Sequence, residues 1–326
     1  MSIILFSVLL GFRDSTVGND TSRYLDIYNS FEYIDFNKSE YGYDILQYIG
    51  KSIGLEFYSY NLVLSIFISI SFLFFFNKYS TNLLLCIFLH ITIGLFAMSM
   101  SGIRQTLAVC LGMLAFDLIN EKRNILAMLL LYMAFTIHNS SIIVCLPYLL
   151  FVLSRKKTKL KYISYLLLSL IPFFFLLPLL VRNVDLFLPQ RYLNGIDVYK
   201  EFNSISPMLI ISWGVLLLLS YCLVLFKISV VKYNYLIQIF FILSIFHCYM
   251  MLLGLEMVHL SRLSYYFRPY LIVLIVLVID KIPNLSFRLV TYSILFILSL
   301  YQFVVYIPNS ALKIDKYLFI SESFLF

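Results

Sequence analysis

Residues 58–76 read YSYNLVLSIFISISFLFFF, nineteen positions without an acidic or basic side chain. At about 1.5 Å of rise per residue a helix here covers about 28 Å, close to the ~30 Å hydrocarbon core of a bilayer. A helix that is apolar on every side belongs in a large core or in lipid. The rest of the chain decides between them. Of the 326 residues, 62% are hydrophobic and 13% charged, and the mean hydropathy is +0.93. Soluble domains carry about a quarter charged residues. This chain has too little charge to cover a globular surface, which excludes a soluble enzyme. Disorder is excluded by the 31 Phe and 26 Tyr, which could not stay solvated.

Further apolar runs fall at 1–12, 83–99, 103–119, 125–137, 139–153, 162–181, 208–226, 235–253, 263–279 and 289–307. Together with 58–76 they predict an all-α polytopic membrane protein with about eleven transmembrane helices. Residues 1–12 have no basic n-region and no small-residue cleavage site after them, so they read as a thin first helix rather than a cleaved signal. No repeat or low-complexity tract divides the chain, and residues 1–326 read as one integral membrane domain.

The polar intervals give the orientation. Lys78, then Lys122 and Arg123, then Arg155, Lys156, Lys157, Lys159 and Lys161, then Lys227 and Lys232, then Lys281 and Arg288 lie in alternate short loops. These loops hold half of the 24 lysines and arginines. Cytoplasmic loops are the basic ones, so the N-terminus is expected inside. The intervals near 13–57 and 182–207 are then the larger outer loops. This reading also disposes of the net charge of +7: the basic loops orient the chain, and nucleic acid is not an expected partner. The cluster at 155–157 could also touch anionic lipid heads. Cys86, Cys110, Cys145, Cys222 and Cys248 sit in apolar runs with no metal-ligand spacing, and read as buried small residues.

The 13–57 segment carries its own pattern. Asp20 is placed to cap a helix whose Tyr24, Ile27, Tyr28, Phe31 and Ile34 follow the 3.6-residue period. Ile45, Tyr48, Ile49 and Ile53 repeat it. Two amphipathic helices on the outer face are expected.

Ionisable groups at membrane depth are costly, and each is a functional hypothesis. Arg13, Asp14 and Asp20 follow the first helix, and Arg104 with Gln105 opens the 103–119 run. His138 and Asn139 sit at a break, Arg182, Arg191 and Tyr192 lie in the 182–207 loop, and Glu256, His259, Arg262 and Arg268 lie near the start of the 263–279 run. All fall on the expected outer side. A lone arginine at a helix end is commonly an interfacial anchor, and a lone histidine an interhelical hydrogen-bonding group. The constellation says more than its members. Several arginines with one histidine on one membrane face suit an anionic head group, because the planar guanidinium donates two parallel hydrogen bonds to phosphate. A neutral imidazole beside them can take a proton from a sugar hydroxyl. No DxD or ExxE array suggests a metal, and no cofactor is called for.

Five segments resemble motifs of the EpsG/Wzy-like polysaccharide polymerases. Arg13-Asp14-Ser15-Thr16-Val17-Gly18-Asn19-Asp20-Thr21-Ser22-Arg23-Tyr24 is similar to the R-x-x-x-V-G-x-D-x-x-x-Y signature after the first helix. Tyr41-Gly42-Tyr43-Asp44-Ile45-Leu46 resembles the E-x-G-Y-x-x-L element, and Ile103-Arg104-Gln105-Thr106-Leu107-Ala108 the I-R-Q-x-x-A motif. Ala134-Phe135-Thr136-Ile137-His138-Asn139-Ser140 resembles A-x-x-x-H-x-S, and Arg262-Leu263-Ser264-Tyr265-Tyr266-Phe267 resembles R-x-x-x-Y-F. They occur in order over most of the chain.

The resemblance implies a GT-C-like membrane glycosyltransferase that joins undecaprenyl-diphosphate-linked oligosaccharide repeat units into O-antigen, capsule or exopolysaccharide. It implies the bacterial inner membrane, with chemistry on its periplasmic or extracellular face and without a metal. Its partners would be the lipid-linked oligosaccharide, the bilayer, a chain-length regulator and a flippase. Arg104 and Arg262 would neutralise the departing diphosphate, with Arg13 or Arg191 assisting. His138 would be the base for the acceptor hydroxyl. Asp20, Tyr24, Gln105 and Tyr266 would be further substrate contacts. A ligase uses similar chemistry, and a flippase or exporter also collects arginines. An exporter should carry charge deep in its helices, whereas here the mid-helix stretches are almost uncharged.

Overall fold

A computed structural model describes residues 2–145, 148, 214–215, 218, 234–254 and 261–306. All secondary structure among them is helical. They belong to two units, Met1–Tyr148 with Ser299–Phe326, and Leu149–Leu298.

In the first unit α1 (Ser2–Gly11) lies along α4 (Phe57–Tyr79). The last turn of a helix leaves carbonyls without partners. Asn61 Nδ2 answers two of them, donating to Leu10 O at 3.1 Å and Gly11 O at 3.0 Å. Helix α4 turns Tyr60, Leu64, Ile68, Phe72 and Phe75 inward, while Val63, Phe67, Ile70 and Phe74 stay exposed. Both faces are apolar, which is stable only where the outer face meets lipid. Helix α7 (Ile103–Asn120) lies between α4 and α8 (Asn124–Ile137). Its Phe116 ring meets Phe75 and Tyr79 edge-on. At the far end of α4 and α7, Lys78 Nζ lies 2.5 Å from Asp117 Oδ1 and 2.9 Å from Glu121 Oε1.

The 83–99 run, expected as one span, is broken. Asn82 caps α5 (Leu83–Thr92) by accepting from Leu85 N at 3.1 Å. The chain then turns at Gly94, φ +81°, into α6 (Leu95–Ser101), with a bend of 54° between the two helices.

The amphipathic helices of the 13–57 segment are α2 (Thr21–Asn29) and α3 (Tyr41–Ser52). Tyr24 and Tyr28 are buried as their period predicts, but α3 buries Gly42, Tyr43, Gln47 and Gly50. Tyr48, Ile49 and Ile53 face outward. Small residues allow the closer approach, so the glycine face turns inward. Asp20 stands at the N-cap of α2, yet its side chain makes no capping hydrogen bond. It accepts instead from Asn19 Nδ2 at 3.2 Å.

In the second unit α9 (Asn234–Leu253) lies against a 3₁₀ turn, Arg262–Tyr266, and α10 (Arg268–Ile279). All of α10 is buried, with Pro269 in its first turn, where the missing N–H costs nothing. Helix α11 (Leu285–Tyr301), whose residues 299–301 are grouped with the first unit, exposes Leu289, Val290, Ile294 and Ile297. Cys86, Cys110 and Cys248 are buried as expected, whereas Cys145 is exposed.

Among the described residues four helical stretches are long and apolar enough to cross a membrane: Phe57–Tyr79, Ile103–Asn120, Leu236–Leu253 and Leu285–Val305. The bent pair makes a fifth if it counts as one span. The protein is a multi-pass membrane protein, all-helical among the described residues. The expected span at 162–181, that at 208–226 apart from 214–215 and 218, the part of the 139–153 run beyond Cys145 apart from Tyr148, the 182–207 loop, Arg182, Arg191, Tyr192, Glu256 and His259 lie outside the described residues.

Candidate functional site

Two close backbone approaches assemble the site. Gly18 adopts φ +87°, and a Cβ there would stand 2.5 Å from Met100 O. Only glycine takes that conformation without strain. With Gly18 seated on α6, Asn19 N donates to Ser101 Oγ at 3.1 Å, and Thr21 Oγ1, which donates to Val17 O at 2.6 Å, also lies 3.2 Å from Met100 O. The 13–24 segment is thereby fixed on the junction that starts α7 and presents Arg104.

The second approach is at Gly42, where a Cβ would stand 2.4 Å from Thr136 Oγ1 and 2.9 Å from the Thr136 carbonyl carbon. The start of α3 therefore rests on the last turn of α8. There the backbone leaves the helix at His138, with φ −153° and ψ 111°, and enters a 3₁₀ turn, Asn139–Val144. Glu40, just before α3, is brought onto that turn.

The Glu40 carboxylate is the hub. Its Oε2 accepts from Arg104 Nη1 at 3.1 Å, and its Oε1 accepts from the Asn139 backbone N–H at 3.0 Å. His138 Nδ1 lies 2.9 Å from the same Oε1, a close charge contact rather than an aligned hydrogen bond. Asn139 Nδ2 donates to Ser39 Oγ at 2.5 Å and ties the loop down. The Arg104 guanidinium also lies over the rings of Tyr24 and Tyr43, at 5.4 and 5.5 Å from their centroids, a cation–π arrangement. Its Nε is buried without a hydrogen-bond partner.

Burial alone would raise the Glu40 pKa. The His138 contact, the Asn139 N–H and the Arg104 charge outweigh it and hold the carboxyl at about 2. Burial, with Tyr24 beside it, pushes the Tyr43 phenol above its ordinary range, so it stays neutral. Arg104, Glu40 and His138 are each about a quarter exposed. His138 Nε2 makes no hydrogen bond or ion pair among the described residues. The result is a fixed cation beside an imidazole with one free nitrogen, on one rim of the helices. Such a pair can hold an oxyanion and take up a proton a few ångströms away.

The other expected residues divide. Tyr24 is in the site. Gln105 is buried on α7, one position after Arg104. Arg13 is 1% exposed, and its guanidinium is turned inward, with Nε donating to Thr21 Oγ1 at 3.3 Å and Nη1 to the Leu10 carbonyl. It knits the end of α1 to the 13–24 segment. Asp20 is half-buried in that segment. Arg262 and Tyr266 belong to the second unit, Arg262 half-buried at the start of its 3₁₀ turn and Tyr266 buried. There Arg268 is also buried, its Cζ 3.9 Å from the Tyr265 ring centroid. No group of three or more His, Cys, Asp or Glu side chains converges as a metal site among the described residues.

Sequence reasoning missed Glu40 and Tyr43. The signal was present: they are the E and the Y of the E-x-G-Y-x-x-L element. An acid in a polar loop attracts no notice until its partners, 64 and 99 positions away, are placed.

No curated protein and no solved structure matches the chain significantly. The model of the EpsG family matches residues 1–320, almost the whole sequence, and spans every segment that carries the resemblance. The chain belongs to the EpsG family.

Proposed function

We propose that this chain is the polymerase that joins undecaprenyl-diphosphate-linked oligosaccharide repeat units into a surface polysaccharide. The family gives the coarse reading, a membrane glycosyltransferase of polysaccharide biosynthesis. The observation that carries the finer one is the convergence of Arg104 and His138 on one carboxylate. A cation and a free imidazole nitrogen side by side fit a transfer in which a phosphate leaves as a hydroxyl attacks.

In this reading the growing chain leaves its lipid diphosphate for a hydroxyl of the incoming unit's non-reducing sugar. His138 Nε2 takes the hydroxyl proton, the sugar oxygen bonds to the anomeric carbon, and the bond from that carbon to phosphate oxygen breaks. Arg104 neutralises the diphosphate as it takes the electron pair. Arg262, Arg191, Gln105, Tyr24 and Tyr266 bind the lipid diphosphate or the sugars. Arginines rather than a metal bear the charge. The remaining proposals follow the basic-loop pattern and the family: one GT-C-like domain of about eleven spans in the bacterial inner membrane. Its N-terminus is cytoplasmic, its site faces outward, and a flippase and a chain-length regulator work beside it.

The test is a surface-polysaccharide gel from the host with the gene deleted and then restored. Loss of the ladder on deletion, with a single repeat unit still attached to its acceptor or carrier, is the expected result. Loss of even the single unit would replace this reading with a ligase or a flippase.

A further inference from the structure

We propose that Glu40 is the positioning residue of this site: its carboxylate holds His138 with the proton on Nδ1 and the lone pair on Nε2, and ties that orientation to Arg104. The inference rests on the proposed function, because it assigns His138 its role as base.

A neutral imidazole carries one proton, and the hydrogen bond made by one ring nitrogen decides the state of the other. Glu40 Oε1, 2.9 Å from His138 Nδ1, is an acceptor only, since the carboxyl is ionised across the neutral range. At 2.9 Å a lone pair on Nδ1 would be repelled by the carboxylate, so the contact favours the tautomer with the proton on Nδ1 and leaves Nε2 with its lone pair, without a hydrogen bond among the described residues and open to a hydroxyl. When Nε2 takes that proton the ring becomes an imidazolium, and the carboxylate beside it balances the charge. The proton passes to water once the product has left.

Glu40 is itself held in place. The Asn139 N–H fixes Oε1 and the Arg104 guanidinium fixes Oε2, so neither oxygen can turn away from His138 without breaking a bond to a second helix. Arg104 is clamped in turn by Tyr24 and Tyr43. The cation that would meet the leaving phosphate and the base that would deprotonate the acceptor are thus set by one side chain. An orienting carboxylate of this kind can be worth about 10⁴ in kcat when an amide replaces it and the tautomer is wrong.

The test uses Glu40→Gln and Glu40→Asp in the full chain, purified in detergent. Two readouts are taken: the ¹⁵N spectrum of the labelled histidines, with the His138 signals assigned by difference against His138→Asn, and turnover. The turnover probe is the lipid-linked repeat unit extracted from host cells lacking this gene. Wild-type chain is expected to show His138 protonated on Nδ1. In Glu40→Gln the side-chain amide can donate to Nδ1, so the proton moves to Nε2 and kcat falls at least 100-fold, with KM changed far less. Glu40→Asp keeps a carboxylate and recovers part of kcat. A Glu40→Gln chain that keeps the wild-type tautomer, or the wild-type kcat, overturns the assignment. If the tautomer follows Glu40 while wild-type chain elongates no repeat unit, the positioning role stands and the polymerase reading has failed.

Discussion

Glu40 and His138, on segments joined by no local structure, meet with Oε1 2.9 Å from Nδ1. This is a relationship of the folded state alone, and it leaves a mark on stability. Glu40 has its carboxyl lowered from 4.5 to about 2 in the folded chain. A lowered carboxyl contributes stability above its unfolded pKa and loses it as pH falls through the folded one. Its contribution is therefore complete above about pH 5 and drains away between about 4.5 and 2. Thermal unfolding of Glu40→Gln should lack that part of the acid dependence. Superimposable curves for the two chains from pH 5 down to 2.5 would contradict the geometry.

Arg104→Ala should abolish polymer while leaving protein level and membrane insertion unchanged. Losing one charge-stabilising donor costs about 10²–10³ in rate. Arg104→Lys should recover little, because an ammonium matches neither the two ring faces of Tyr24 and Tyr43 nor the planar fork. A lysine variant with a full-length ladder would show that charge alone is what the position supplies.

Arg13→Ala should behave differently. Its guanidinium is spent inside the protein, on Thr21 Oγ1 and the Leu10 carbonyl. Leaving buried partners unsatisfied costs about 1–3 kcal/mol, so this variant should lose protein level and melting temperature first. Whatever folds should retain its turnover per molecule. Normal abundance with no turnover would instead return Arg13 to the substrate.

Gly42→Ala tests how the site is assembled. Its new methyl would sit 2.4 Å from Thr136 Oγ1 and 2.9 Å from backbone, so α3 must back away from α8. Glu40 moves with it, and a 1 Å misplacement can cost about 10² in rate. A large fall in kcat with a modest fall in melting temperature is expected. Gly54→Ala has open space at its Cβ but φ +75°, and should cost stability without costing kcat.

Much of the fold was legible because the apolar run is the strongest signal a membrane chain carries. Residues 58–76 and 103–119 became α4 and α7 to within three residues at either end. What hydropathy cannot register is a change of direction inside a uniformly apolar stretch, and the 54° break near Gly94 is of that kind. Nor does amphipathic period say which face turns inward when glycines compete with isoleucines, as α3 shows. In the site, Arg104 and His138 stood out because charge near membrane depth is rare. Glu40 did not, since its neighbours Lys38 and Ser39 are polar as well. Its meaning came from contacts that only the folded chain supplies.

Helix α8 has 14 residues and so is about 21 Å long. An ordinary bilayer core is about 30 Å. A helix that ends so early, with His138 at its tip, would draw the membrane thinner on that side or leave its tip below the headgroup plane. Either way the imidazole would be approached sideways, along the leaflet, by a molecule already dissolved in it. Free sugars in the surrounding water would then be poor competitors however concentrated they were, and selectivity for lipid-borne substrates would begin with the length of one helix.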